Sequence, residues 1–154
     1  MSKLHIGWSE ISITPDKKIS LAGQFAERIS QYVEKPLTAT AMAVEAGGEQ
    51  MVLVSADLVG VACNLVDLVR EELKDNAVGL DPMKVIFAAI HTHTAPVYPR
   101  SQRSGGHFMS NSSRMTLETM LRPDQKYVES AAVTKNPEII SEEETLEFLT
   151  KQLK

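Results

Sequence analysis

Residues 38–55 read TATAMAVEAGGEQMVLVS, and this stretch decides the fold. Thr38 to Ala46 alternates apolar and polar or small side chains, the period-2 signature of a strand. Gly47-Gly48 follows, a pair that takes positive φ without steric cost, and Gln50 to Ser55 returns as a second β-prone run. A Gly-Gly pair between two such runs predicts a tight hairpin. Its second arm is almost continuously apolar at Met51-Val52-Leu53-Val54, as expected of a strand covered on both faces.

Beyond the hairpin, a helix is predicted to start near Asn64. The Asn64 side chain can cap the free N–H groups of the first turn, with Asp67 three positions on in a capping-box arrangement. Leu65, Leu68, Val69 and Leu73 form one apolar stripe. Asp67, Arg70, Glu71, Lys74 and Asp75 cover the other side. Gly79 and Pro82 punctuate its end. Lys84 to Ile90 (KVIFAAI) is then a third buried strand. Strand, helix and strand in this order make a βαβ unit, with parallel strands and a right-handed crossover.

Upstream, Leu4 to Ile13 alternates as a half-buried strand in which Trp8 serves packing. Thr14-Pro15-Asp16 closes it, since Pro15 has no N–H for a ladder. Residues 16–35 read as an irregular loop anchored by Gly23 and Phe25. Downstream of His93, apolar residues become sparse until Ser141-Glu142-Glu143-Glu144, a capping box that opens a helix with Leu146, Leu149 and Leu153 on one stripe. The fold class is therefore α/β: a mixed sheet with a hairpin, a βαβ unit and flanking helices. The chain reads as one partial domain, with residues 1–96 as its ordered body, 97–140 as an irregular segment of active-site type, and 141–154 as a terminal helix.

The whole chain has 154 residues, 43% of them hydrophobic and 23% charged, room for one domain. Sixteen Lys and Arg against twenty Asp and Glu leave a formal charge of -4. This balance argues against a nucleic-acid partner, which needs a basic face, and against a polybasic membrane anchor. The single cysteine, Cys63, cannot form an internal disulfide, and it reads as a buried small apolar residue. No apolar run reaches the roughly 18–20 residues of a bilayer span. The N-terminus carries no apolar signal region, so a cytoplasmic location is expected.

The chemistry concentrates at His91-Thr92-His93-Thr94. Side chains two apart on a strand share a face, and open parallel sheets bind ligands at the carboxyl ends of their strands. Two imidazoles so placed can ligate one divalent metal together, or act as one ligand and one acid/base group. Zinc is the commonest occupant of such a pair. The alternative is two ordinary, hydrogen-bonded strand-end residues. A metallo-β-lactamase pattern is disfavoured, because Ala95-Pro96 stand where that pattern continues with Asp-His. Asp57, at the carboxyl end of the neighbouring strand, is placed to orient an imidazole from behind, or else to serve as a plain turn residue. Between Pro82 and Leu117 there is no Asp or Glu, while Lys84, Arg100, Arg103 and Arg114 are present. Arg100 and Arg103 would make this a locally cationic loop that steers a polarised or anionic group; incidental solvated charges are the plainer reading. His107 reads as a surface loop residue.

These pieces together resemble the N-terminal part of the neutral/alkaline non-lysosomal ceramidase family. The likeness runs through Ser12-Ile13-Thr14-Pro15, Ala22-Gly23-Gln24-Phe25, Pro36-Leu37-Thr38-Ala39, Val54 to Leu58 and His91-Thr92-His93-Thr94-Ala95-Pro96, with Ser141 to Thr145 similar in the tail. It covers residues 4–96 well and 97–154 loosely.

The resemblance implies a zinc-dependent amide hydrolase in which His91 is a metal ligand and His93 a catalytic residue lining the site. The family's other ligands, a histidine, a glutamate and a tyrosine, lie far beyond this motif, and no equivalents are evident here. Family members are several hundred residues long, so the chain is expected to be an N-terminal fragment or truncated member, inactive alone. Thr94 for Ser and Ala95 for Gly mark a divergent bacterial relative whose N-acyl amide substrate need not be ceramide. Two other readings stay open: a non-catalytic α/β interaction module, and a His-x-His metallohydrolase completed by homo-oligomerisation.

Overall fold

The computed structural model describes residues 3–23, 28–77, 79–99 and 138–154. The Phe25 anchor, Arg100, Arg103, His107 and Arg114 lie outside the described residues. Four strands, β1 (Leu4–Ser12), β2 (Thr38–Ala46), β3 (Glu49–Ala56) and β4 (Val85–Ala89), and two helices, α1 (Cys63–Asn76) and α2 (Glu142–Gln152), make up the regular structure. A short 3-10 turn, Pro82–Lys84, leads into β4.

The strands lie in the order β1-β2-β3-β4. The first two pairings are antiparallel and β3 to β4 is parallel, which gives the expected mixed sheet. The hairpin forms at the predicted place: Ala46 pairs with Glu49, and Gly47 and Gly48 have φ of 61° and 84°. Those are the positive values that a two-residue turn matched to strand twist demands.

The core sits on one side of the sheet. Ala39, Val54, Ala56 and Val85 from the strands meet Leu65, Val69 and Leu73 of α1 and Leu149 of α2 in a single buried cluster. Each large aliphatic side chain fully buried there contributes about 1.5–3 kcal/mol. Thr145, although polar, is buried because its hydroxyl donates to Ser141 O at 2.7 Å.

The α2 capping box is complete: Glu144 N donates to Ser141 Oγ at 3.1 Å, and Ser141 N to Glu144 Oε2 at 2.9 Å. The start of α1 differs from expectation. Its N-cap is Ala62, with no side-chain cap, and Asn64 instead donates to Pro99 O at 2.7 Å. Tyr98 meets the helix entry from elsewhere in the chain: its buried hydroxyl accepts from Ala62 N at 3.0 Å and donates to Gly60 O at 2.7 Å.

Several burial expectations are corrected: β3, expected to be covered on both faces, and β4, expected to be buried, leave Met51 and Ile86 exposed on one face. Leu68 is exposed at the edge of the α1 stripe, and Cys63 lies exposed at the helix entry. In β1, predicted to be half-buried, every residue is exposed, and Trp8 is 71% accessible. The helices pack over β2, β3 and β4, so the edge strand extends past them.

Candidate metal site

The carboxyl ends of β3 and β4 run side by side, tied by Ile90 N to Ala56 O at 3.1 Å and Thr92 N to Leu58 O at 3.2 Å. β4 ends at Ala89, so the two histidines stand in the turn beyond it and not on the strand itself. Their convergence comes from the turn. His91 has φ of 64°, a left-handed backbone that is uncommon outside glycine. Such strain costs on the order of 1–3 kcal/mol and collects at functional sites, where surrounding contacts hold it.

Those contacts are specific. The Nδ1 of His91 lies 2.7 Å from Val59 O. A carbonyl only accepts, so Nδ1 carries the hydrogen, and in the neutral ring Nε2 presents its lone pair outward. This is the arrangement that orients metal-ligating imidazoles. The His93 Nε2 lies 3.4 Å from the His91 Nε2, with the ring centroids 5.1 Å apart and the planes at 71°. That separation exceeds the usual 2.7–3.2 Å range of hydrogen bonds from N–H donors. It matches the spacing of about 3.3–3.4 Å between two nitrogens at about 2.0–2.1 Å from one tetrahedral zinc. The spacing is thus compatible with a shared cation.

His93 is held from two further directions. The guanidinium of Arg28 donates from Nη2 to His93 O at 2.6 Å. Gly23, with φ of 82°, backs the ring so closely that a Cβ there would fall 2.8 Å from His93 Cγ and Nδ1. Segment 18–23 reaches this place by pairing with two others. Ala22 N bonds Ala95 O at 2.9 Å, Val97 N bonds Ser20 O at 2.9 Å, and Leu21 N bonds Arg28 O at 2.8 Å. Arg28 and Val59 are the site residues that sequence reasoning missed. Both lie in aperiodic loops and act through, or upon, backbone carbonyls, so neither has a side-chain pattern to find.

Asp57 is not the residue behind His91; Val59 O fills that place. Asp57 Oδ2 accepts from Thr38 N at 2.8 Å and Thr38 Oγ1 at 3.1 Å, and Asp57 N returns a bond to Thr38 O at 2.9 Å. The carboxylate thus anchors the start of β2 by receiving a backbone N–H, the plain turn-residue role that was the alternative. Arg100 and Arg103 lie outside the described residues. Among the described residues, no group of three or more His, Cys, Asp or Glu side chains is placed to hold a metal ion. The histidines bring two imidazole nitrogens together, fewer than the three protein ligands that catalytic zinc usually takes. No helix among the described residues is long and apolar enough to cross a membrane.

No family model matches the sequence, and no curated protein matches it. Solved structures do. Neutral ceramidase from Pseudomonas aeruginosa superposes with a TM-score of 0.58 at 24% identity, over 62% of this chain and 16% of the ceramidase chain. A second structure, ceramidase complexed with C2, gives a TM-score of 0.54 at 21% identity, again over 62% of this chain and 16% of that one. The chain shares the fold of part of neutral ceramidase, and it spans only 16% of the length of those proteins.

Proposed function

We propose that this chain carries the first part of a ceramidase-like, zinc-dependent amide hydrolase site, with an N-acyl amide as the substrate class. One observation carries this reading above the others. The His91 Nε2, with its tautomer set by Val59 O, faces the His93 Nε2 at 3.4 Å from a strained, left-handed backbone. The ceramidase fold likeness supports the same assignment.

In this reading His91 holds the metal through Nε2. His93 presents its Nε2 to the same point, as the second nitrogen or as the group that holds and moves a proton beside the scissile amide. Val59 O keeps the proton of His91 on Nδ1, and Arg28 and Gly23 fix the backbone and ring of His93. A bound zinc would polarise the amide carbonyl and bring a water toward ionisation near neutral pH. Catalytic zinc usually takes three protein ligands. With the two that the described residues offer, weak zinc binding and little or no turnover are expected of the chain alone.

The test is metal analysis after exhaustive dialysis, paired with an N-acyl amide hydrolysis assay. Substoichiometric zinc and no turnover are expected. Stoichiometric zinc retained through dialysis, with hydrolysis abolished by His91→Ala, would overturn the incomplete-site reading. Zinc uptake indifferent to His91→Ala would overturn the site itself.

A further inference from the structure

The face of the sheet opposite the helices is apolar and exposed. The register puts Trp8, Met42, Leu53 and Ile86 in one row that crosses all four strands. Beside it, Ile6 pairs with Val44 and Val44 with Met51. Leu4, Ile6, Trp8, Met51 and Ile86 are all exposed, Trp8 to 71%. Apolar patches this continuous are uncommon on monomers and mark interaction surfaces.

We infer that this face is the interface of a homodimer, in which two copies pack sheet against sheet. Three features select a second copy. The first is shape: a pleated sheet face is flat, and a second copy of the same face can interdigitate with it about 10 Å away. The second is charge. Glu49 on the rim is already paired with Lys84 at 2.7 Å, and Glu10 lies beyond the apolar rows, opposite Thr40. The centre therefore offers no field to select an oppositely charged partner, while a neutral patch with a polar rim complements itself across a two-fold axis.

The third is area. Strands of nine, nine, eight and five residues, at about 3.3 Å per residue and about 4.8 Å between strands, give a footprint on the order of 500 Å². Two such faces bury on the order of 1,000 Å², the least that a specific interface between proteins needs. Trp8, a large exposed aromatic on the patch, is of the residue type that anchors such contacts.

Trp8 is the only tryptophan, so its emission reports on this face directly. The experiment is sedimentation velocity with tryptophan fluorescence on the full chain across a dilution series. Trp8→Lys and Ile86→Lys are carried in parallel and checked for folding by circular dichroism. A dimer is expected, with blue-shifted emission shielded from iodide that reddens on dilution. Each variant should be a folded monomer, and either alone suffices if the other misfolds. A wild-type monomer with exposed Trp8 overturns the inference, as does a dimer that both variants leave intact. A chain that stays monomeric until a different polypeptide binds the face also overturns it.

Discussion

The ring of His93 rests on the backbone of Gly23, so closely that any side chain at position 23 would occupy the same space. The Cβ of an alanine would fall 2.8 Å from two ring atoms, at a φ of 82° that L-residues rarely adopt. Gly23→Ala should therefore displace the imidazole and leave the sheet intact. Outer partners of metal ligands are typically worth 10–100-fold in metal affinity, and a loss of that size is expected. Calorimetric zinc titration, with circular dichroism as the folding control, measures it.

Arg28 reaches the same residue from the backbone side, donating to His93 O. Arg28→Ala leaves that carbonyl without its charged donor and loosens the turn that carries both histidines. Zinc affinity should fall about tenfold or more, and Arg28→Lys should recover only part, because a lysine lacks the planar fork. Equal affinity in wild type and Arg28→Ala would mean that the turn holds itself.

Ser141 and Glu144 exchange two hydrogen bonds at the start of α2. Ser141→Ala removes one of them and should cost about 1 kcal/mol of stability. Leu149, fully buried in the same helix, should cost about 2–5 kcal/mol as Leu149→Ala. Urea denaturation curves with unchanged slope would show both losses and their order.

Glu142 gives the chain a pH signature. Burial, and then the neighbouring charge of Glu143, push its carboxyl up to about 7, and its Oε1 is buried without a hydrogen-bond partner among the described residues. A raised carboxyl binds more protons in the folded state than in the unfolded one. Its contribution to stability is therefore fully present below the ordinary carboxyl range and is lost as pH rises through about 7. Glu144 runs the other way: the Ser141 backbone N–H and then Lys17 hold it below its ordinary value, so its contribution disappears in acid. Thermal melts from about pH 5 to about pH 8 should show stability falling for the wild type and a flatter profile for Glu142→Gln.

The sheet was largely legible from residue types. Alternation through Thr38–Ala46, the Gly47-Gly48 turn and the apolar run of β4 are local signals, and local pairing obeys them. The α2 box was legible for the same reason. Burial was less so: alternation in Leu4–Ser12 marks an apolar face without saying whether anything covers it, and Trp8 stands exposed. Asn64 has the chemistry of a cap, yet Tyr98, far along the chain, satisfies the backbone at Ala62.

At the site, the histidine pair was visible as a motif, while the geometry that joins it was not. The left-handed turn at His91, the Val59 carbonyl and the Gly23 platform arise from loops that meet only in the folded chain. Asp57 shows the reverse case, a side chain suited to orient an imidazole that binds Thr38.

The central claim is that His91 and His93 share one cation, and zinc titration followed by imidazole resonances in NMR tests it most directly. The account predicts a weak, one-to-one titration that moves the His91 and His93 rings together, leaves His5 unmoved, and vanishes in His91→Ala. Zinc that moves neither ring, or that binds as well to His91→Ala as to the wild type, would contradict it.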